Sequence, residues 1–162
     1  MGARNAIAVI GAGDATEEVC ATARKVGRAI ARNGAVLVCG GRGGVMEAAA
    51  EGARSVGGHT IGVLPSYNRA SANAHIEFAI ATGMGEARNA VVVASADAAI
   101  ALPGEAGTLS EIALALKIGR PVVAIGAWHE IAGVREAQDA ESAVALAFKL
   151  AGIALADENR DD

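Results

Sequence analysis

The sequence contains few aromatic residues and few cysteines, and each shortage excludes a class of function. Aromatic side chains make up only 2% of the 162 residues, whereas proteins that bind single-stranded nucleic acids stack bases on aromatic platforms. The formal net charge of −4 provides no overall basic field for DNA or RNA. Cys20 and Cys39 lack the spacing of a metal site and fit a reducing compartment better than a disulfide scaffold. We therefore expect no nucleic-acid partner.

Long apolar runs are missing as well. No uninterrupted apolar stretch reaches the roughly 18 residues that a transmembrane helix requires. The run Ile7–Ile10 near the N-terminus is short and continues into a glycine turn, which predicts a first strand rather than a signal peptide. The sequence therefore predicts a cytoplasmic protein with no membrane partner.

The standard nucleotide and metal motifs are also absent. A dinucleotide fingerprint that begins at Gly11 would need Gly or Ala at position 16, where the chain has Thr16. There is no GxxxxGK[ST] phosphate loop and no Ser-His-Asp pattern, and the three histidines do not have metal-ligand spacing. We expect no NAD site, no P-loop nucleotide site and no protein metal site.

The chain does contain a repeated alternation of short apolar runs and helical patterns. The apolar runs lack the polar alternation of half-exposed strands, which is typical of strands buried on both faces of a parallel sheet. Five such runs occur, at Ile7–Ile10, Val36–Cys39, Thr60–Leu64, Ala98–Leu102 and Val122–Ile125. Strands that alternate with helices predict a doubly wound α/β fold, with a mainly parallel sheet and helices on both faces.

The helix patterns have recognisable ends. A first helix is predicted over Thr16–Arg32, with Asp14 and Glu17 at capping-box spacing, and another over Asp139–Ala151. A second helix is predicted to begin within residues 43–46 and to end before Gly57.

Two segments leave alternatives open. Residues 75–80 fit a further strand. Residues 89–95 fit a strand or a buried helix, and we favour the helix because a hairpin would break the alternation. The pattern shows no repeat or linker, so we expect one domain over residues 1–156 and a disordered acidic tail over residues 157–162.

Four loops are unusual in their glycine and arginine content, and each follows a predicted strand or precedes a helix. They are Gly11–Asp14, Gly40–Gly44, Thr82–Asn89 and Leu102–Glu111. Loops at the carboxyl ends of parallel strands gather at one edge of the sheet, where ligands bind. In the last loop a strand, a glycine turn and a helix start at Thr108 predict an anion site, because helix N-termini present free N–H groups.

The motifs in these loops resemble a known family. Residues Gly40–Glu47 and Pro103–Glu111 are similar to the paired motifs of the Lonely Guy (LOG) superfamily, PGGxGTxxE preceded by a GGxxGxM-type turn. Members of this superfamily were often labelled lysine decarboxylases. Residues Gly83–Asn89 resemble the bacterial branch that includes molybdenum cofactor carrier proteins. The similarity covers roughly residues 5–126.

The resemblance implies a Rossmann-like fold that forms a homo-oligomer, either a dimer or a tetramer. It also implies a site for a small phosphorylated ligand, with molybdenum cofactor as a carried ligand and no cofactor required for folding. The ligand residues that it implies, together with the glycine turns, are Gly11, Gly13, Gly41, Arg42, Gly43, Gly44, Met46, Arg88, Asn89, Pro103, Gly104, Gly107 and Thr108.

Two activities remain open under this resemblance. The carrier reading, which we favour, has the ligand bound without chemistry. In the hydrolase reading, a nucleoside 5′-monophosphate is cleaved to free base and ribose 5-phosphate, with catalytic roles falling on Arg88 and Glu111 because a carboxylate stabilises oxocarbenium character. A third class, a DNA-processing module of related fold, is disfavoured by the acidic charge and the scarcity of aromatics.

The sequence departs from the family pattern at two places. Several of the candidate site residues can also be explained by a structural role instead of ligand binding or catalysis. Glu105 replaces the second glycine of PGG, and the arginine motif of the hydrolases, MHxRK, is replaced by residues 84–89. Thr108 and Glu111 have capping-box spacing, so Glu111 can serve as a helix cap instead of a catalytic group. Gly11 and Gly13 can serve a tight turn, and Arg42 can be a solvated loop residue.

Overall fold

A computed structural model describes residues 4–156, which form a seven-stranded sheet flanked by five α-helices. In chain order the elements are β1 (Ala6–Ile10), α1 (Glu17–Arg32), β2 (Val36–Cys39), α2 (Val45–Arg54), β3 (Thr60–Leu64), β4 (Phe78–Ala81), α3 (Asn89–Ala94), β5 (Ala98–Ala101), α4 (Ala106–Lys117), β6 (Val122–Ala124), β7 (Val134–Glu136) and α5 (Ala140–Ala151). Short 3₁₀ turns lie at Arg69–Ser71 and Gly85–Arg88.

The strands are arranged in the order β4-β3-β2-β1-β5-β6-β7, and every described pair is parallel. β1 lies in the middle and pairs with β2 on one side and with β5 on the other. The chain winds outward from β1 in one direction and then, after β4, returns to add β5 on the opposite side. The point between β1 and β5 is therefore the topological switch point, where open α/β sheets bind their ligands.

The core lies on both faces of the sheet. On one face, side chains of β1 such as Ile7 and Val9 pack with α1, α2 and α5. On the other face, Ala8 and Ile10 pack with α3 and α4. Alternate residues of each strand thus face two separate apolar layers, which explains why the strands carry almost no polar residues. The doubly wound, Rossmann-like α/β fold expected from the sequence is confirmed.

Two glycines set the distance between α1 and α2. A Cβ atom at Gly27 of α1 would overlap the backbone carbonyl of Ala49, and a Cβ atom at Gly52 of α2 would overlap the carbonyl of Arg24. The helices are therefore in backbone contact across this face of the sheet. Arg24 also donates from Nε to Glu51 at 2.6 Å, which joins the same two helices at the surface.

Most predicted elements are found within a residue or two of their predicted bounds. Residues 89–94 are helical, so the helix alternative for this segment is confirmed. The further strand proposed within residues 75–80 is β4, which begins at Phe78. The sequence analysis missed β7, because its three residues, Val134–Glu136, contain only one buried apolar side chain. The acidic tail at residues 157–162 lies outside the described residues.

The predicted capping of α1 by Asp14 is wrong. The N-cap is Thr16, whose side-chain oxygen accepts from the backbone N–H of Val19 at 3.4 Å. Because the helix begins at Glu17, Asp14 lies outside the cap and belongs to the preceding loop.

Within the described residues, no helix has both the length and the apolar composition needed to cross a membrane.

Candidate functional site

A polar cleft lies at the carboxyl edge of the sheet, at the switch point between β1 and β5. Its volume is about 410 Å³, within the range of small-molecule sites. Loops after β1, β2, β4 and β5 contribute to it, as the clustering of the four loops predicted. The lining residues are Gly11, Ala12, Gly13, Asp14, Arg42, Gly43, Met46, Glu86, Arg88, Asn89, Glu105, Gly107, Thr108 and Glu111.

Backbone hydrogen bonds fix the loops of the cleft to one another. The N–H of Ala12 donates to the carbonyl of Pro103 at 3.0 Å, and the N–H of Val45 donates to the carbonyl of Ala12 at 3.0 Å. Gly44 has a positive φ of 63°, and a Cβ atom there would overlap the same carbonyl of Ala12. The glycine at this position thus allows the β1 and β2 loops to touch, which holds the floor of the cleft rigid.

One wall of the cleft is the first turn of α4. The helix begins at Ala106 with Glu105 as its N-cap, so the predicted N-cap at Thr108 is wrong. Because the helix begins at Ala106, Thr108 lies inside its first turn. The buried side chains of α4 follow the 3.6-residue period and are those of Thr108, Glu111, Ile112 and Ala115. Glu111 therefore lies beyond the N3 position, and the capping-box reading of Thr108 with Glu111 fails as well.

The Glu105 carboxylate makes no capping hydrogen bond to the helix that it begins. Free N–H groups of the first turn consequently remain available at the cleft, where Gly107 adds no side chain. A Cβ atom at Gly104 would overlap the hydroxyl of Thr108, so the glycine at position 104 lets this side chain pack beneath the turn. The wall combines an open helix N-terminus with an acidic side chain beside it.

The opposite wall carries Arg88, which is 6% exposed although it bears a full charge. Its Nη1 donates to the side-chain oxygen of Asn89, and its Nε is buried without a hydrogen-bond partner. Asn89 in turn donates from Nδ2 to the hydroxyl of Ser110 at 3.0 Å, and that hydroxyl donates to the carbonyl of Gly107 at 2.7 Å. This relay connects Arg88 to the first turn of α4 and sets the width of the cleft.

Glu111 projects from α4 toward Arg88 and is 7% exposed. Burial raises the pKa of the Glu111 carboxyl to about 7, the positive charge of Arg88 opposes this rise, and the negative charge of Glu86 adds to it. Near neutral pH this pKa leaves the group divided between its acid and its carboxylate form. A carboxyl poised in this way can act as either a proton donor or a proton acceptor.

The cleft contains more acidic than basic side chains. Asp14, Glu86, Glu105 and Glu111 line it, against Arg42 and Arg88. Arg42 is exposed, whereas Arg88 is buried. A highly charged anion is therefore disfavoured, and a ligand that combines one anionic group with hydrogen-bond donors suits the lining better. In the part of the chain that the structure describes, no three His, Cys, Asp or Glu side chains are grouped to hold a metal ion.

The structure places the predicted site residues in two groups. Those that line the cleft are Gly11, Gly13, Arg42, Gly43, Met46, Arg88, Asn89, Gly107, Thr108 and Glu111. Gly41, Gly44, Pro103 and Gly104 lie behind the lining, where they make close backbone contacts or hydrogen bonds. Their contribution is to the shape of the loops. Gly11 belongs to both groups, because a Cβ atom there would come within 2.7 Å of the Val45 side chain.

The sequence did not identify four lining residues as part of the site, namely Ala12, Asp14, Glu86 and Glu105. Asp14 has the sequence spacing of a helix cap, and Glu86 lies in a segment that departs from the family motif. Their positions directly beside motif glycines were the available signal. Which of these side chains faces the cleft depends on where α1 and the 3₁₀ turn at Gly85–Arg88 begin, and the sequence did not specify those starts to the residue.

The parallel sheet and the position of the cleft define a Rossmann-like α/β protein. More specifically, the chain belongs to the SLOG cluster4 family, whose model matches residues 4–151. This confirms the LOG-type resemblance carried by the two glycine motifs.

Relatives of known structure are also similar over nearly the whole chain. The molybdenum cofactor binding protein of the phototrophic bacterium Rippkaea orientalis is 38% identical with a TM-score of 0.86, covering 91% of this chain and 98% of that one. The molybdenum cofactor carrier protein of Chlamydomonas reinhardtii is 33% identical with a TM-score of 0.84, covering 93% and 99%.

A relative named as an enzyme is similar too. The cytokinin riboside 5′-monophosphate phosphoribohydrolase of Mycobacterium tuberculosis is 35% identical over 128 residues, which is 73% of this chain and 68% of that protein. This chain is therefore similar both to proteins named as molybdenum cofactor carriers and to a protein named as a hydrolase.

Proposed function

We propose that this protein binds a phosphorylated pterin-like or nucleotide-like small molecule, and that it is a carrier or storage protein of the molybdenum cofactor type. The observation that carries the proposal is the pairing of an open helix N-terminus with a buried arginine across one cleft. Helix N-termini bind phosphate through free N–H groups and the helix dipole. Arg88 lines the other wall, where its guanidinium can donate to an acceptor of a bound ligand.

In this proposal the ligand-binding residues are those that line the cleft. The first turn of α4 holds the phosphate, with Gly107 and Thr108 in its wall and the exposed Arg42 able to reach over the opening. Gly13 leaves room for the ligand beside the floor, because a Cβ atom there would meet only the Met46 side chain at 3.9 Å, whereas Gly43 packs closely against the carbonyl of Gly13. The two structural relatives named as molybdenum cofactor proteins support the pterin-type ligand.

The second candidate function is hydrolysis of a nucleoside 5′-monophosphate, and the observation in its favour is the Glu111–Arg88 neighbourhood. Burial raises the pKa of Glu111 to about 7, which suits a group that must exchange a proton near neutral pH. A carboxylate beside the scissile N-glycosidic bond would stabilise the developing positive charge of the ribose. The Mycobacterium tuberculosis relative named as a phosphoribohydrolase supports this candidate.

Turnover separates the two functions. The protein is incubated with AMP, GMP, CMP and UMP, and the release of free base is followed by chromatography. The carrier function predicts no release above the uncatalysed rate. Release that disappears in Glu111→Gln, and persists in the surface control Glu141→Gln, would replace the carrier function with the hydrolase.

Ligand binding itself is tested by thermal shift. Molybdenum cofactor and a pterin monophosphate are expected to raise the melting temperature, because a ligand that binds only the folded state stabilises it. Arg88→Lys should reduce the shift, since lysine cannot reproduce the planar donor set of arginine. If molybdenum cofactor, pterin monophosphate and all four nucleotides leave the melting temperature unchanged, the site is not a phosphate site.

We also propose that the protein acts as a homo-oligomer in the cytoplasm, and that the face with α3 and α4 forms the interface. Phe78 and Ile80 of the edge strand β4 are 54% and 47% exposed. Their register partners, Ile61 and Val63, pack in the layer beneath α3 and α4, so all four side chains lie on this face. Leu109 of α4 is exposed on the same side of the sheet. We assign a second copy of this chain as the occupant, because homo-oligomers commonly cover an apolar patch with the same patch of a symmetry-related copy.

Light scattering after gel filtration tests the interface. The wild type is expected to elute as a dimer or tetramer, and the double substitution Phe78→Glu with Ile80→Glu to elute as a monomer. Val56→Glu is the matched control, because Val56 is also an exposed apolar residue but follows α2 on the other face. A monomeric wild type at micromolar concentration would contradict the proposal.

A further inference from the structure

Three charged side chains, those of Glu86, Arg88 and Glu111, line the cleft together with the first turn of α4. Glu111 lies six positions after Glu105, which at 1.5 Å per residue places it about 9 Å along the axis of α4. Both Arg88 and Glu86 are close enough for their charges to act on Glu111. We call Glu86, Arg88 and Glu111 the head group site, as distinct from the phosphate turn at the start of α4.

The head group site has hydrogen-bonding capacity that the protein does not use. Within residues 4–156, neither Glu86 nor Glu111 takes part in an ion pair. Arg88 is more than nine-tenths buried, and its Nε has no partner. Carboxylates only accept hydrogen bonds and a guanidinium only donates them. A ligand that satisfies both must present donors toward the carboxylates and an acceptor toward Arg88.

The charged groups of the site determine the order of donors and acceptors that a ligand ring must present. Two adjacent N–H donors on a ring can satisfy the two carboxylates, and the guanidinium then requires a carbonyl oxygen on the neighbouring ring carbon. The 2-amino-4-oxo-pyrimidine edge, which guanine and pterin share, has this order of amino group, ring N–H and carbonyl. Adenine offers one amino donor beside a ring acceptor, and hypoxanthine lacks the amino group.

We propose that the head group site selects ligands with a 2-amino-4-oxo-pyrimidine edge, which Glu86 and Glu111 read through its two donors and Arg88 reads through its carbonyl oxygen. This inference rests on the proposed function, because it assigns the ring of the same phosphorylated ligand. The selected class comprises guanine monophosphates and pterin monophosphates. Adenine and hypoxanthine monophosphates leave at least one charged group of the site unpaired, and the cost is largest where that group is the buried Arg88 or Glu111.

Calorimetric titration with GMP, IMP and AMP tests the edge, because GMP and IMP differ only by the amino group. The titrations are run at pH 8, where Glu111 is mostly ionised. GMP is expected to bind at least about tenfold more tightly than IMP or AMP, as for other sites that recognise a base edge bidentately. A pterin monophosphate run in parallel shows which of the two sources of this edge binds more tightly.

Variants assign the preference to the head group site. Glu86 is exposed, so Glu86→Gln should fold normally, and it is expected to reduce the GMP-to-IMP preference at least about threefold while IMP affinity changes less than twofold. Glu141→Gln, on α5, should leave both affinities unchanged. A GMP preference that survives in both Glu86→Gln and Glu111→Gln would overturn the assignment.

The outcomes distinguish this inference from the proposed function. If GMP, IMP and AMP bind with affinities within twofold of each other, the edge preference is overturned while phosphate binding stands. If none of the three binds, and the pterin monophosphate and inorganic phosphate also fail to bind, the proposed function is overturned together with the inference.

Discussion

The α-carbon of Gly40 lies against the guanidinium of Arg88. A Cβ atom at position 40 would stand 2.8 Å from Nη2 of Arg88 and 2.8 Å from Sδ of Met46, both closer than packed side chains allow. Gly40 closes the end of β2, and Arg88 follows β4, two strands away in the sheet. The absence of a side chain at Gly40 is therefore what allows the buried arginine to occupy its place.

Gly40→Ala is expected to displace Arg88 and weaken ligand binding at least about tenfold, because a misplaced guanidinium loses a charge-assisted hydrogen bond worth on the order of 1.5–3 kcal/mol. The measurement is the dissociation constant for GMP or pterin monophosphate by calorimetry, with the melting temperature as a check on the fold. Wild-type affinity in a folded Gly40→Ala variant would show that the position of Arg88 does not matter for binding.

The stability of the protein should depend on pH through Glu111. Because the folded state raises the pKa of this carboxyl from 4.5 to about 7, the folded state holds the proton more tightly than the unfolded state does. The resulting contribution to stability is complete below pH 4.5 and is lost as the pH rises to about 7. It amounts to about 3 kcal/mol at most, from 1.36 kcal/mol per pKa unit.

Glu111→Gln removes this dependence. The free energy of unfolding of the wild type should fall between pH 5 and pH 8 by about 1–3 kcal/mol more than that of the variant. Urea denaturation of both proteins at both pH values measures this difference. Glu141→Gln is the control and should follow the wild type. Parallel pH profiles of Glu111→Gln and wild type would contradict the buried, protonatable state of this carboxyl.

The glycine contact between α1 and α2 predicts a large cost for a small substitution. In Gly27→Ala the new methyl group would overlap the carbonyl of Ala49, so the helices must separate. We expect a loss of about 1–3 kcal/mol in the free energy of unfolding, typical of overpacking in a core. Gly107→Ala is a matched control, because Gly107 also lies in a helix but has nothing within 4 Å of an added Cβ atom. That control should be neutral or slightly stabilising.

Trp128 should report ligand binding by fluorescence. It is the sole tryptophan of the sequence, and its Nε1 donates to the carbonyl of Leu102 at 2.9 Å, just before the Pro103–Glu105 turn. Its backbone has φ of 69°, which is unusual for a residue other than glycine. Saturating GMP or pterin monophosphate is expected to change its emission intensity or wavelength. Calorimetric binding with an unchanged emission spectrum would mean that the turn does not respond to the ligand.

Much of the fold could be predicted from the sequence because burial leaves a direct pattern. Strands buried on both faces read as unbroken apolar runs, so β1, β2, β3, β5 and β6 were predictable. β7 left no such pattern, because Arg135 and Glu136 are exposed at the edge of the sheet. The alternation of elements also favoured the helix at residues 89–94 over the strand that Val91, Val92 and Val93 indicate locally.

The position of the cleft could be predicted from the sequence, but the charged side chains that line it could not. The strand ends located the loops at one edge, and the two motifs identified the walls. The start of α4 was misjudged because Thr108 and Glu111 have ideal capping spacing, and the helix in fact begins two residues before Thr108. Positive φ at Gly41 and Gly44 serves the packing of loops against each other. A glycine motif in sequence does not distinguish that use from contact with a ligand.

The central place of β1 has a consequence for how the chain acquires its site during synthesis. β1 pairs with β2 soon after both have formed, but its other edge pairs with β5, and the N–H of Ala6 donates to Asp97, 91 residues later. Until that strand arrives, β1 presents an open edge to other chains, and closing so distant a pair is slow. Both walls of the cleft come from residues after position 85. A nascent chain therefore cannot complete the proposed ligand site until most of it has been synthesised.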